Sequence, residues 1–99
     1  MSEEEEKEKE EKESVKPPPE LRVIGLFQDI DEAKSEELIY AFKIYSLESD
    51  KPIEFLISTS GGSAADMFSV YDIMRESSQS AEIITHGLGK VMSAGVLLL

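Results

Sequence analysis

From Leu21 onward, short apolar runs alternate with longer stretches in which apolar residues recur every three or four positions. Leu21-Arg22-Val23-Ile24-Gly25-Leu26-Phe27 is β-rich and mostly apolar, as expected of a strand covered on both faces. Asp29 or Asp31 then opens a helix. Between Asp31 and Leu47, the residues Leu38, Ile39, Phe42 and Tyr45 follow one helical face, with Glu32, Lys34, Glu36 and Glu37 elsewhere, so that face is expected to cover a sheet. Asp50-Lys51-Pro52 breaks the helix, and Ile53-Glu54-Phe55-Leu56-Ile57 has the length and composition of a second buried strand. Ser58-Thr59-Ser60-Gly61-Gly62 follows at once. From Ser63 the period turns helical again, with Ala64, Met67, Phe68, Tyr71 and Met74 on one side and Asp66, Asp72 and Glu76 largely on the other. Ser77-Ser78-Gln79-Ser80 ends this helix. Glu82-Ile83-Ile84-Thr85-His86 predicts a third strand, Gly87 and Gly89 a tight connection, and Val91 to Leu99 the start of another helix. The order is β-α-β-α-β-α, which implies an α/β fold of right-handed parallel β-α-β units whose small sheet lacks a complete second half.

Composition changes the picture mainly at the front of the chain. The formal net charge is −11, and residues 1–20 hold nine acidic and four basic side chains, closed by Pro17, Pro18 and Pro19. Low hydrophobicity and repeated Glu cannot offset the entropy of ordering, so residues 1–20 are expected to be a disordered acidic N-terminal tail, with a specific acidic interaction tail as the alternative. The folded domain is then 21–99. No basic patch exists, which argues against binding nucleic acid or an anionic membrane surface. The absence of cysteine excludes disulfides and thiolate zinc sites, and the single His86 cannot build a histidine-rich metal cluster. The N-terminal Glu/Lys run has no secretory apolar core, and the longest apolar stretch, Val96 to Leu99, is far below the roughly 20 residues that span a bilayer. A cytoplasmic protein is expected. Natural domains rarely stop inside an apolar run, so a truncated fold is expected, with Val96, Leu97, Leu98 and Leu99 seeking another surface.

Two places could carry chemistry. Gly61 and Gly62, between a buried strand and a helix, permit backbone conformations that a Cβ forbids, and their N–H groups could face an anion or a carbonyl oxygen gaining charge. A plain turn reads the same way. In Gly89-Lys90-Val91-Met92-Ser93-Ala94-Gly95 a serine stands among small residues at the mouth of an apolar segment, so Ser93 is a candidate nucleophile, with a helix N-cap as its bland alternative. The Ala94 N–H could join a Gly-pair amide as a two-donor oxyanion hole. His86 precedes Ser93 in a strand, where a structural role fits better than that of a general base. Lys90 raises a Ser-Lys arrangement against the alternative of a solvated lysine.

The segments RVIGLFQDID, PIEFLISTSGGS, YDIM and GKVMSAG, in this order and at these separations, resemble the proteolytic subunit of the ATP-dependent Clp protease over roughly residues 21–99. The resemblance implies a crotonase-like β-α-β superhelix and a serine endopeptidase whose subunits stack as homo-oligomeric rings. It also implies an unfolded polypeptide as substrate, an ATP-dependent unfoldase as partner, and no cofactor. It places Ser93 on the nucleophile and the Gly62 and Ala94 amides on the oxyanion hole. The sequence departs from the family at Ser60, where proline is usual, at Met92, where a small residue is usual, and at Ala94, where methionine is usual. Backbone donors tolerate such changes. The family's catalytic His and Asp fall beyond Leu99. Two alternatives stay open, a non-catalytic ring component of the same fold and a crotonase-type acyl-CoA enzyme; the Ser93 context and the SGGS loop weigh against the latter.

Overall fold

The computed structural model describes residues 2–3 and 21–99. Apart from Ser2 and Glu3, the acidic tail expected over residues 1–20 lies outside the described residues. The elements run β1 (Val23–Leu26), α1 (Glu32–Glu48), β2 (Ile53–Thr59), α2 (Ala64–Ser77), β3 (Ile83–Val91) and a 3-10 helix (Ser93–Leu98). The strands form one sheet in the order β1-β2-β3, all parallel, with Ile24 opposite Phe55, Leu26 opposite Ile57, and Phe55 opposite Thr85. The α/β alternation read from the sequence is present.

Both helices start on side-chain caps. Asp31, not Asp29, opens α1: its carboxylate accepts from the Lys34 N–H at 2.8 Å. Ser63 does the same for α2, accepting from the Asp66 N–H at 3.3 Å. Leu38 and Phe42 of α1 and Met67, Val70 and Ile73 of α2 bury against Ile24, Leu26, Ile53, Phe55 and Ile57 of the sheet. Phe42 meets Phe55 edge-on, with ring centroids 5.0 Å apart at 84°, the geometry that sets a positive ring edge against a negative face. The helices also touch each other through buried serines. Ser35 Oγ donates to Asp66 O at 3.3 Å and Ser77 Oγ to Phe42 O at 3.4 Å. Both helices therefore lie on one face of the sheet.

That arrangement corrects the expectation of strands covered on both faces. In β2 the buried Ile53, Phe55, Ile57 and Thr59 alternate with half-buried Glu54, Leu56 and Ser58, the pattern of a sheet packed on one side. Phe68 is also not on the core stripe of α2: it is exposed, and Val70 and Ile73 take the interior positions.

The largest departure lies after His86. The glycines read as a tight connection sit inside β3, which continues to Val91. Ile57 pairs with Gly87 but Thr59 pairs with Val91, so β3 holds extra residues in a bulge, and Gly89 carries its positive φ of 73°. The helix expected from Val91 is instead six residues of 3-10 helix starting at Ser93. Gly95 explains the tight path, since a Cβ there would stand 2.6 Å from Thr59 Cγ2.

Candidate active site

Thr59 and Val91 end β2 and β3 side by side, so the chain leaves the sheet at the carboxyl edge of neighbouring parallel strands, where open α/β sheets commonly bind ligands. The Gly61-Gly62 loop departs from one strand and the Ser93 turn from the other. They meet: a Cβ added to Gly61 would stand 2.9 Å from Ser93 Cβ and 3.3 Å from Ser93 Oγ. Gly61 must therefore be small for the serine to sit where it does.

Ser93 is exposed and has φ 54°, making it the one non-glycine residue with positive φ among the described residues. A β-carbon is poorly accommodated there, at a cost of about 1–3 kcal/mol, and such strain concentrates at functional sites. An ordinary N-cap serine would have extended backbone and a side chain bonded to the N–H groups ahead of it. Met92 is the N-cap residue of the 3-10 helix, and Ser93 Oγ makes no hydrogen bond among the described residues. With only six residues of 3-10 helix behind it, the turn gains little from a helix dipole. What it offers is individual N–H groups.

The two glycines of the loop are not equivalent. The Gly61 N–H donates to Thr59 Oγ1 at 3.1 Å. Gly61 O accepts from the Ile30 N–H at 2.8 Å, and the Ser63 N–H donates to Ile30 O at 3.1 Å, which forms an isolated parallel bridge across Gly62. The Gly62 N–H takes part in neither bond and has no acceptor among the described residues. The Ala94 N–H is likewise unused, while its neighbour Gly95 donates to Met92 O at 3.0 Å. The pair of amides read from the sequence thus stands on the two loops that converge at Ser93, each with its proton uncommitted.

A cleft of about 420 Å³ opens beside Ser93, lined by Ala64, Met67, Phe68, Ala94, Val96 and Leu97. Exposed Phe68 is accounted for here: it forms a wall of the cleft. Neither of the other two titratable candidates bonds to the serine. His86 pairs in register with Leu56, on the sheet face opposite Ile57 and Thr59, and its Nε2 lies 3.6 Å from Glu54 Oε1. Lys90 is exposed in the β3 bulge, with no ion pair among the described residues. No group of three or more metal-ligating side chains occurs among the described residues, and no helix there is long and apolar enough to cross a membrane.

Sequence reading passed over Thr59 as one more polar residue of the STSGG turn. It is fully buried and bonds both to the Gly61 amide and to Gln28 O, at 2.8 Å. Its only signal in the sequence was its position at the end of an apolar strand.

No curated protein matches the chain. Among solved structures, ClpP1 from Listeria monocytogenes matches with a TM-score of 0.75 at 20% identity, over 79% of this chain and 45% of that one. The ClpP protease catalytic domain from Plasmodium falciparum matches with a TM-score of 0.70 at 26% identity, over 75% of this chain and 41% of that one. The chain therefore spans less than half the length of either structure. A family model described as Clp protease matches residues 6–99, nearly the whole sequence. The chain belongs to the Clp protease family.

Proposed function

We propose that residues 21–99 carry the nucleophile and oxyanion hole of a serine endopeptidase that cleaves unfolded polypeptide by acyl transfer. Ser93 Oγ attacks the scissile carbonyl carbon, the new C–O bond forms, and the carbonyl electrons move onto oxygen. The Gly62 and Ala94 N–H groups stabilise that oxyanion. Collapse breaks the C–N bond, and the serine proton passes through a general base to the leaving amine. Water then releases the acyl group from Ser93. The base and its orienting carboxylate are assigned to the family's downstream His and Asp, not to His86 or Lys90. The apolar cleft takes an apolar side chain next to the scissile bond. The observation that carries this reading is the strained, exposed Ser93 pressed against Gly61, with uncommitted amides on both adjoining loops.

The wider assignment goes with it: a crotonase-like superhelix, a domain beginning at residue 21, homo-oligomeric rings and an ATP-dependent unfoldase that delivers substrate. A longer chain carrying the downstream His and Asp is expected to hydrolyse small unstructured peptides and to be labelled at Ser93 by a phosphonate serine reagent, with both lost in Ser93→Ala. Residues 1–99 alone are expected to be slower by orders of magnitude, because an unassisted serine is a poor nucleophile. Labelling at another serine, or full activity in Ser93→Ala, would remove the assignment. It would favour the second reading, a non-catalytic ring component, which draws on the absence of any base bonded to Ser93 among the described residues.

A further inference from the structure

Thr59 sits between the two loops of the proposed site without touching the reacting atoms, and its bonds are distributed unusually. Its side chain is fully buried. Its hydroxyl donates to Gln28 O at 2.8 Å and accepts from the Gly61 N–H at 3.1 Å. Its carbonyl accepts from the Met92 N–H at 3.1 Å, and its methyl group closes on Gly95, where a Cβ would stand 2.6 Å away. One donor, the Gly62 amide, directly follows the residue whose N–H Thr59 holds. The other, the Ala94 amide, lies between the two residues, Met92 and Gly95, that Thr59 holds by its carbonyl and its methyl.

We infer that Thr59 is a positioning residue for the oxyanion hole, acting through its hydroxyl. The inference rests on the function proposed above and deepens it. A successive pair of glycines offers two amides that could turn toward a substrate oxygen. By accepting the Gly61 N–H, the Thr59 hydroxyl removes the wrong one and fixes the Ser60–Gly61 peptide plane, next to the Gly61–Gly62 plane that carries the Gly62 N–H and that Ile30 holds through Gly61 O. By donating to Gln28 O, it anchors itself to the β1–α1 connection, so the hydroxyl cannot swing with the loop it restrains. Without the hydroxyl, a buried Gly61 N–H lacks an acceptor, and the two-glycine loop relieves this by rotating, which carries the Gly62 amide off its line. Interactions formed only with the oxyanion appear in kcat and not in KM.

The test is steady-state peptide hydrolysis by the complete, peptidase-active protein. Thr59→Val keeps the shape and the methyl group and replaces the hydroxyl with a second methyl. It is expected to lower kcat about 10- to 100-fold, somewhat less than the loss of an oxyanion donor itself, with KM within about threefold. Thr59→Ser restores the hydroxyl and deletes the methyl; it should keep kcat within about threefold of wild type while melting at a lower temperature. If Thr59 only fills space, the order reverses, with Thr59→Val close to wild type and Thr59→Ser impaired; that result overturns the inference. Should Thr59→Val fail to fold, Thr59→Ser alone decides, since a folded Thr59→Ser protein with kcat reduced tenfold or more contradicts a hydroxyl role. Ser93→Ala run alongside separates the two levels. Full activity in Ser93→Ala removes the underlying reading and this inference with it, whereas an inactive Ser93→Ala beside an unaffected Thr59→Val removes the inference only.

Discussion

At the scale of single residues, glycines that look alike in the sequence differ sharply in what surrounds them. Gly62 has φ 130°, and a Cβ there would stand 2.3 Å from Ile30 O and 2.8 Å from Ile30 N. Those are backbone atoms and cannot swing aside. Gly62→Ala must break the bridge to Ile30, losing two hydrogen bonds at about 1 kcal/mol each and adding backbone strain of similar size, so a loss of about 3–4 kcal/mol is expected. Gly89 also has positive φ, but its Cβ would meet nothing within 4 Å. Gly89→Ala should therefore lose only about 1 kcal/mol, the intrinsic backbone term. Urea unfolding of the two variants measures the contrast, and equal losses would refute the assignment of Gly62 to a close approach. The sequence showed why Gly61 and Gly62 are glycine only in outline. That loop chemistry was expected there was legible, because a glycine pair follows a buried strand. That the neighbours are Ile30 and Ser93 was not, because both contacts bridge about thirty residues of chain. Thr59 escaped for the same reason: its meaning lies in partners at Gln28 and Met92, not in its own vicinity.

At the scale of elements, local signals were reliable and long-range ones were not. The spacing of Leu38 and Phe42, the choice of Asp29 or Asp31 as the opener, and the onset of helical period at Ser63 placed both helices within a residue or two, since such signals are written in adjacent residues. The end of β3 was misread because Gly87 and Gly89 signal a turn, and only pairing with β2 keeps them in a strand. Arg22 is a second case. The last turn of α1 has no basic residue of its own, so its carbonyls are served from the residue preceding β1. Arg22 is buried, and its guanidinium donates to Ser49 O at 3.0 Å, to Ser49 Oγ at 2.9 Å, and to Tyr45 O and Lys51 O. It thereby ties the end of α1 to the entry of β2. Deleting charged hydrogen bonds from a buried guanidinium to several part-buried carbonyls predicts a loss of about 2–4 kcal/mol for Arg22→Met, and Arg22→Lys should recover little, because one ammonium cannot serve carbonyls spread across a planar fork. The exposed Lys43–Glu76 pair, at 2.9 Å, joins the two helices but stands in water, so Lys43→Met should change stability by about 0.5 kcal/mol or less. Thermal melts of the three variants check the order, and a Lys43→Met loss as large as that of Arg22→Met would reverse it.

At the scale of the whole molecule, charge and apolar exposure oppose each other, and their balance sets how residues 1–99 behave in solution. Of Val96, Leu97, Leu98 and Leu99, all expected to seek another surface, Leu98 is buried in the core, while the other three are exposed. Val96 and Leu97 join Phe68 around the cleft beside Ser93, and Tyr40, Ile44 and Leu47 form a second exposed apolar row along α1. Burying apolar area of this kind favours association regardless of salt. The net charge of −11 resists it, and that resistance is screened: the Debye length falls from about 30 Å at 0.01 M to about 3 Å at 1 M. Repulsion between two chains is therefore strongest at low salt, and attraction through apolar faces emerges as salt rises. Sedimentation of residues 1–99 is expected to show monomer at low ionic strength and self-association at high ionic strength. Removing the acidic residues 1–20 should move the onset to lower salt. Leu97→Ser combined with Leu99→Ser should suppress association without unfolding, whereas Leu98→Ser should unfold the chain by placing a hydroxyl in the core. Association that weakens with salt would mean that opposite charges, not apolar faces, hold the chains together, because screening acts on charge and leaves the apolar term in place.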